Sequence, residues 1–357
     1  MDAKQINYVG VDFGSFKTCV ACSNGRREVL PTAVGWPKDP FARRTIGQEV
    51  VFGEKLKQFR MALNIVRPFE LGALKFRDLN EAGVDASSIS RSAEAAKLLL
   101  DHIVSQVCPA DGSLVYGVIG APSRASIKNK QVLLDAARDA FDAVLIVSEP
   151  FALANGINEC LDTLVVDVGA GTIDLCPLFG GYPADEDQVT LPIVGDVVDA
   201  EVIWRLKALH PDAQISANTA REIKEKFGSV HRMHEKAVVT LAGNGGPKSF
   251  DVTQPLNEAC QTLVEPIVRG IKELVAKFDL DYQSRLLNHI VLGGGGSQLH
   301  GLDQLIEEGL RGAGGARVTR VQDSVYAGAV GALQLAMSWP ASYWQTIQKV
   351  DRQQRAA

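Results

Sequence analysis

The sequence predicts a duplicated α/β fold with two lobes, each built from a mixed sheet flanked by helices. One pattern occurs twice, at Tyr8–Ser15 and at Leu164–Thr172: a strand, an aspartate and a small-residue turn that contains glycine, each leading into a second strand. Strand and helix patterns alternate after the first copy, which is typical of sheets covered by helices. The length of 357 residues agrees with two lobes, because single cores seldom grow beyond about 250–300 residues.

The first lobe is predicted to comprise residues 1–149 and 319–340. Its opening hairpin over Asn7–Ser23 ends at the turn signal Asn24-Gly25, which favours a tight turn. Residues from about 35 to 75 are irregular and fairly basic, which indicates a small inserted subdomain. The other predicted elements are a strand at Arg27–Val34, helices at Ser90–Val107 and Ala125–Phe141, and strands at Leu114–Ile119 and Val144–Val147.

The second lobe is predicted to span residues 150–318, with a small subdomain at about 188–252. A long amphipathic helix is predicted at Asn257–Phe278. The remaining predicted elements are helices at Phe151–Asn158, Val198–Leu206 and Ala217–Phe227, strands at Gln188–Val194 and Ile290–Leu292, two short strands within 229–252, and a helical pattern after Ser297. A strand at Ala316–Val321 and a closing helix at Ser324–Met337 are predicted next.

Residues 341–357 form a predicted C-terminal tail. Tyr343, Ile347 and Val350 recur at helical spacing, and Trp344 lies beside them. This pattern favours a short helix packed on its own lobe over a partner-binding site.

Composition excludes several classes of function. The net charge is -5 and no long basic run occurs, so nucleic acid is not the expected ligand. No stretch approaches the roughly 18 apolar residues of a membrane span. The opening segment MDAKQINYVG has neither a signal-peptide core nor the length of an amphipathic anchor, so we expect a cytoplasmic protein without direct membrane insertion.

Six cysteines are scattered along the chain. Cys19 and Cys22 form a CxxC pattern inside a strand, but no second pair follows at metal-binding spacing. We therefore expect free thiols in a reducing compartment rather than a zinc or redox site.

The duplicated hairpins can bind a phosphate. Their glycine and alanine residues let backbone N–H groups approach an anion, and the carboxylates of Asp12 and Asp167 can hold a hydrated cation beside it. Taken alone, the Asp167 hairpin is as consistent with a solvent-exposed Asx turn, but the second copy favours two hairpins that clamp a polyphosphate. Hydroxyl groups beside the turns come from Ser15, Thr18 and Thr172, with Thr18 the weakest candidate.

Two further features suggest nucleotide chemistry. A glycine cluster, Gly293–Gly296, separates a strand from a helical pattern, a position that suits close approach of a nucleotide. Glu149 lies at a strand end, just before a helix, where it can orient a water molecule and accept its proton. Capping of that helix is an equally good role for Glu149 on spacing alone.

The three motifs VGVDFGSFKT, VVDVGAGTIDL and VLGGGGSQLHGL together resemble the phosphate-1, phosphate-2 and adenosine motifs of the actin, Hsp70 and sugar-kinase superfamily. The resemblance covers nearly the whole chain. It implies an actin-like, ribonuclease-H-like fold that binds ATP or ADP with Mg²⁺ in a cleft between the lobes. By this resemblance Asp12 and Asp167 hold the metal through water, and Glu149 and Asp167 serve catalysis. The implied nucleotide-binding residues are Asp12, Gly14, Ser15, Thr18, Gly169, Gly171, Thr172, Gly195, Lys224, Glu225, Gly294, Gly295 and Gly296.

Several stretches narrow the resemblance to bacterial actins. VGWPKD, VIGAPSRASIKNKQVLL, LIVSEPFALANG and EDQVTLPIVGDVVD are similar to the branch that aligns magnetosomes. Gly293 departs from that pattern, where a small apolar residue is expected. The resemblance implies an ATPase that forms homopolymeric filaments and works with magnetosome-associated adaptor proteins. The alternatives are an MreB-type shape or polarity filament and a non-polymerising Hsp70-like or kinase-like ATPase.

Overall fold

The computed structural model describes residues 5–69, 86–109, 111–191, 195–231 and 235–356. Its strands are β1 (Ile6–Phe13), β2 (Lys17–Cys22), β3 (Arg27–Pro31), β4 (Val34–Pro37), β5 (Leu63–Val66), β6 (Leu114–Ala121), β7 (Ala143–Ser148), β8 (Leu161–Val168), β9 (Ile173–Phe179), β10 (Val189–Leu191), β11 (Val238–Gly243), β12 (Gly246–Asp251), β13 (Ile290–Gly293) and β14 (Val318–Arg320). Its helices are α1 (Pro40–Ile46), α2 (Lys55–Gln58), α3 (Ala86–Val107), α4 (Ile127–Ala137), α5 (Glu149–Gly156), α6 (Gly195–Leu209), α7 (Ala217–Phe227), α8 (Thr253–Gln261), α9 (Val264–Val275), α10 (Leu280–Asn288), α11 (Leu302–Leu310), α12 (Ala327–Ser338) and α13 (Ala341–Ala356).

The two main sheets repeat one topology. The first has the order β3-β2-β1-β6-β7 and the second the order β10-β9-β8-β13-β14. In the first sheet β1, β2 and β3 form an antiparallel meander, β6 pairs with β1 in parallel, and β7 pairs with β6 in parallel. In the second sheet β8, β9 and β10 form the meander, β13 pairs with β8 in parallel, and β14 pairs with β13 in parallel. The predicted duplicated α/β fold, with two mixed sheets flanked by helices, is therefore confirmed.

The chain divides after Glu159 and again after Ser324, so that the first unit is made of two separate segments. Helix α5, which the sequence assigned to the second lobe, belongs to the first unit because it packs closely on α12. A Cβ atom at Gly331 would lie 1.7 Å from Ala152 O, and one at Gly156 would lie 2.3 Å from Ala327 O. Glycines at both positions let the two helix backbones meet, an approach that periodicity alone does not reveal.

Helices cover both faces of the first sheet. One face packs against α3 and α4 through side chains that include Val11, Val20 and Ile119. The other carries Tyr116 and Val118 and packs against α12 and Trp344. Trp344 is fully buried, stacks on Tyr116 with ring centroids 5.2 Å apart, and donates a hydrogen bond to Ala336 O. The expectation that the tail is a helix packed on its own lobe is confirmed.

Other sequence expectations need correction. The long helix predicted over Asn257–Phe278 is two helices, α8 and α9. Pro266 in the first turn of α9 has no N–H to bond the carbonyl of Thr262, so a continuous helix would lose a hydrogen bond there. The region 35–69 is more regular than expected, because Asp39 caps α1 and β4 pairs with β5. Residues 70–75 of that predicted subdomain and residues 192–194 of the predicted strand lie outside the described residues. Among the helices described, none is long and apolar enough to cross a bilayer.

Candidate functional site

In the first unit, Asp12 and Glu149 lie at the same edge of the sheet. Parallel strands β1, β6 and β7 end together, with Asp12 paired to Gly120 and Gly120 paired to Val147. Glu149 then opens α5. A Cβ atom at Gly120 would lie 3.1 Å from the Glu149 Cγ, so the glycine leaves room for this side chain. Carboxyl ends of parallel strands are where binding and catalytic residues of α/β folds collect.

The turn between β1 and β2 is held by a chain of hydroxyl groups. The Thr18 and Thr32 hydroxyls are 2.8 Å apart, and the Thr32 hydroxyl donates to Gly14 O at 2.7 Å. Thr18 is fully buried, and its hydroxyl contacts the turn through Thr32. Ser15 lies on the turn itself and is half-buried. A Cβ atom at Gly14 would lie 2.5 Å from Lys17 O, so a larger residue would disturb this tight turn.

The second unit repeats the arrangement at Asp167, near the end of β8. The Gly169 N–H donates to Thr172 O at 2.8 Å and closes the turn between β8 and β9. Gly171 and the Thr172 side chain are buried in that turn. The strand β13 lies beside β8 in parallel, with Gly293 paired to Asp167. This register brings the glycine cluster, predicted only from its place in the sequence, directly beside the Asp167 hairpin.

The glycines of the cluster have different surroundings. Gly294 has a φ of 75°, and a Cβ atom there would lie 2.3 Å from Asp167 Oδ1. A Cβ atom at Gly296 would lie 2.4 Å from Val168 Cγ1. Gly295 is exposed, and nothing in the chain lies within 4 Å of a Cβ atom placed there. Gly294 and Gly296 are therefore required by the fold itself, whereas Gly295 presents a bare backbone to solvent.

Lys224 reaches the start of α6 rather than solvent. Its Nζ donates to Gly195 O at 2.8 Å and lies 2.7 Å from Asp199 Oδ1. A Cβ atom at Gly195 would lie 3.4 Å from Ala170 Cα and 3.7 Å from Gly169 O. The structure thus brings Gly195 and Lys224 to the Asp167 hairpin, while Glu225 is exposed on α7.

Sequence reasoning missed two residues at these edges. Asp199 lies in the helix predicted at Val198–Leu206, and Gly328 lies in the helix predicted at Ser324–Met337, but neither was a candidate site residue. Asp199 pairs with Lys224, and Gly328 lies against Asp12. Arg221 and Lys224 are three residues apart and share one face of α7, a pattern that predicts an acidic partner. The sequence around them does not identify which acid that partner is.

Cys19 and Cys22 both lie on β2, where Cys19 is paired to Asp12. Cys19 packs under Ala329 on one face of the first sheet, and Cys22 belongs to the core on the other face. The Cys22 thiol hydrogen-bonds with that of Cys108, which lowers the pKa of Cys22 to about 6. Within the residues that the structure describes, no group of three or more His, Cys, Asp or Glu side chains is placed to hold a metal ion.

Comparison with known proteins identifies relatives over nearly the full chain. Residues 87–338 match the MreB/Mbl protein family. The actin-like protein MamK of Paramagnetospirillum magneticum is 37% identical over 346 residues, which cover 97% of this chain and 96% of the relative.

The chain is also similar to solved structures of MamK over most of its length. A MamK double helical filament superposes with a TM-score of 0.86 at 36% identity, covering 94% of this chain and 100% of that one. A non-polymerising MamK mutant bound to AMPPNP superposes with a TM-score of 0.70 at 37% identity, again covering 94% of this chain and 100% of that one.

Proposed function

This chain belongs to the MreB/Mbl family of actin-like, filament-forming proteins, and from that premise we propose that it is an ATPase whose filaments assemble on binding ATP and Mg²⁺. Hydrolysis then promotes filament turnover. The observation that carries the proposal is the repeated hairpin, in which an aspartate at a strand end is followed by a glycine turn, once in each unit. A filament and an AMPPNP complex among relatives at 36 and 37% identity support it.

The phosphate-binding role is proposed for each hairpin by itself. The backbone N–H groups around Gly14, Ser15, Gly171 and Thr172 are the donors that would bind phosphate oxygens, while the Gly169 N–H, bonded to Thr172 O, keeps the second turn closed around the phosphate. Thr18 supports the first turn from within. Gly195 and Lys224 adjoin the second turn. For the adenosine we propose the exposed backbone of Gly295, between Gly294 and Gly296, with Glu225 on the neighbouring helix.

The carboxylates fit a hydrated metal ion. Each hairpin supplies one aspartate near a strand end, Asp12 or Asp167. Mg²⁺ keeps several of its waters and is commonly bound by one or two carboxylates together with substrate phosphates. Bound in this way, the ion would neutralise phosphate charge.

Glu149 is proposed to orient the attacking water and accept its proton. The Glu149 side chain lies over Gly120 at the edge of the sheet. Ser148, the residue before α5, makes no capping hydrogen bond to the helix through its side chain. A carboxylate within reach of the water lowers the barrier by accepting the proton in the transition state.

Assembly is tested by light scattering and by pelleting with ATP and Mg²⁺, with ATP and a chelator, and without nucleotide. Scattering should rise only when ATP and Mg²⁺ are both present. Equal assembly in all three conditions would refute nucleotide-driven polymerisation. Phosphate release, followed in the same samples, tests hydrolysis separately.

The cellular role that we propose is the alignment of magnetosomes by cytoplasmic filaments, through adaptor proteins. Similarity to MamK over nearly the whole chain supports this role, and the MreB/Mbl family match favours a cell-shape filament as the alternative. Expression in a magnetosome-forming host that lacks its own MamK separates the two, because only the first role restores aligned magnetosomes.

A further inference from the structure

Asp199 lies between two cations in the interior of the second unit. Its Oδ1 is 2.7 Å from Lys224 Nζ, and its Oδ2 is 2.9 Å from Arg221 Nε. The Asp199 side chain is 3% exposed, and those of Arg221 and Lys224 are each 12% exposed. With so little water around these charges, the carboxylate is required to compensate both cations.

Lys224 also makes a contact beyond Asp199. Its Nζ donates to Gly195 O at 2.8 Å. Gly195 in turn lies against the turn that contains Gly169 and Ala170. A continuous set of contacts therefore runs from Asp199 through Lys224 and Gly195 to the turn.

We infer that Asp199 is a positioning residue for the nucleotide: by holding the Lys224 ammonium on Gly195 O, it fixes the start of α6 against the turn Gly169–Thr172. The inference rests on the proposed nucleotide-binding function. It also gives Lys224 a different role from the direct nucleotide contact that the resemblance implies. Lys224 acts on the nucleotide through Gly195 and the turn.

Loss of the Asp199 charge should release this contact. Arg221 and Lys224 would then be two uncompensated cations in a largely dry environment, and the more flexible lysine would turn outward to water. Gly195 would lose its side-chain donor. The amides of the turn would then no longer be held in one arrangement.

The test uses the full chain and the variants Asp199→Asn, Lys224→Met and Arg221→Met. Lys248→Met is the control, since Lys248 forms a more exposed pair with Asp212 at 2.9 Å.

The affinity for a fluorescent ATP analogue should fall roughly tenfold or more in Asp199→Asn and Lys224→Met. It should fall less in Arg221→Met, which leaves Lys224 on Gly195, and should not change in Lys248→Met. Asp199→Asn combined with Lys224→Met should bind about as weakly as Lys224→Met alone.

A second measurement requires no nucleotide. Hydrogen exchange of amides in 169–172 should be faster in Asp199→Asn and Lys224→Met than in wild type or Lys248→Met, because the Gly169 N–H bond to Thr172 O reports closure of the turn. Unchanged exchange in Lys224→Met overturns the inference, even if Asp199→Asn does not fold. Equal losses of affinity in Arg221→Met and Lys224→Met also overturn it. If wild type binds no ATP analogue, the proposed function fails, while the exchange result still decides whether Asp199 positions the turn.

Discussion

Asp12 and Gly328 lie against each other although they are far apart in the sequence: a Cβ atom at Gly328 would lie 2.8 Å from Asp12 Oδ2. Helix α12 packs on β1, and a Cβ atom at Gly10 would lie 2.1 Å from Ala329 O. The helix backbone therefore runs directly beside the strand. Glycine at position 328 leaves the space that the Asp12 carboxylate occupies.

Gly328→Ala should displace the Asp12 carboxylate and reduce ATP-dependent assembly and phosphate release. Overpacking of this kind typically costs about 1–3 kcal/mol of stability. Gly312→Ala is the matched control, because nothing lies within 4 Å of a Cβ atom there. Thermal unfolding and phosphate release measure the two effects. Normal phosphate release by a folded Gly328→Ala would show that the position of Asp12 does not limit the reaction.

Glu149→Ala should still bind ATP and polymerise, because the proposed phosphate donors are untouched. Hydrolysis should slow by about 10²–10⁴-fold, the usual effect of losing a positioned general base. Filaments of this variant should persist after ATP is limited. Phosphate release and filament lifetime are the measurements, and near-wild-type release would leave Glu149 only the role of a helix-start residue.

Asp12→Ala and Asp167→Ala should resemble each other more than they resemble Glu149→Ala. Both remove a carboxylate proposed to hold hydrated Mg²⁺, so nucleotide affinity should fall together with hydrolysis. Titration of nucleotide at several Mg²⁺ concentrations tests this grouping. An Asp167→Ala variant with unchanged Mg²⁺ dependence would contradict the metal role.

Gly294→Ala and Gly295→Ala distinguish a glycine that the fold requires from a glycine that the proposed ligand requires. Gly294→Ala should lower the melting temperature, because its φ is 75° and its Cβ would collide with Asp167. Gly295→Ala should leave the melting temperature of the free protein unchanged, since nothing lies near its Cβ. If adenosine packs on this backbone, Gly295→Ala should weaken ATP binding all the same. Wild-type affinity in Gly295→Ala would move the proposed adenosine site elsewhere.

His102 should make the stability of the first unit depend on pH. Its ring stacks on Phe52 with centroids 4.1 Å apart, and burial lowers its pKa below the ordinary value of 6.5. The unfolded chain then binds more protons, so this contribution to stability is present above pH 6.5 and is lost as the pH falls toward the folded pKa. Burial raises the pKa of neighbouring Asp101, which has the opposite effect on acidification.

The comparison of wild type with His102→Phe isolates the histidine, because phenylalanine keeps an aromatic ring on Phe52 and Asp101 is common to both. Melting temperatures at about pH 7.5 and about pH 5.5 should differ less in the variant than in wild type. The same pH dependence in both proteins would assign it to other groups.

Local patterns sufficed for the strands of the two main sheets, the two hairpins and the glycine cluster, but not for β4 and β5. A strand that ends in Asp and a small-residue turn is encoded within about ten residues, so Asp12 and Asp167 could be identified without tertiary information. The break at Pro266 was equally local and could have been predicted. Roles in binding and hydrolysis for these residues remain predictions that the variants above test.

Contacts between distant segments could not be predicted. Asp199 and Lys224 meet because α6 and α7 pack together, and several acids in the second lobe would have suited Lys224 equally well on charge alone. Gly328 was one small residue among many in a closing helix. Burial of Thr18 depended on Thr32, which comes from the loop after β3. In each case the deciding partner is fixed by packing rather than by spacing.

The first unit is completed by residues that follow the whole second unit in the chain. Its sheet face around Tyr116 and Val118 is covered by α12 and Trp344, yet the whole second unit is translated before these residues. During synthesis the apolar sheet face around Tyr116 and Val118 therefore stays exposed until α12 and Trp344 are made, while the second unit can already fold. Nascent chains in this state are prone to associate with one another, so the order of synthesis makes early self-association through this face a hazard for a protein whose function is ordered self-association.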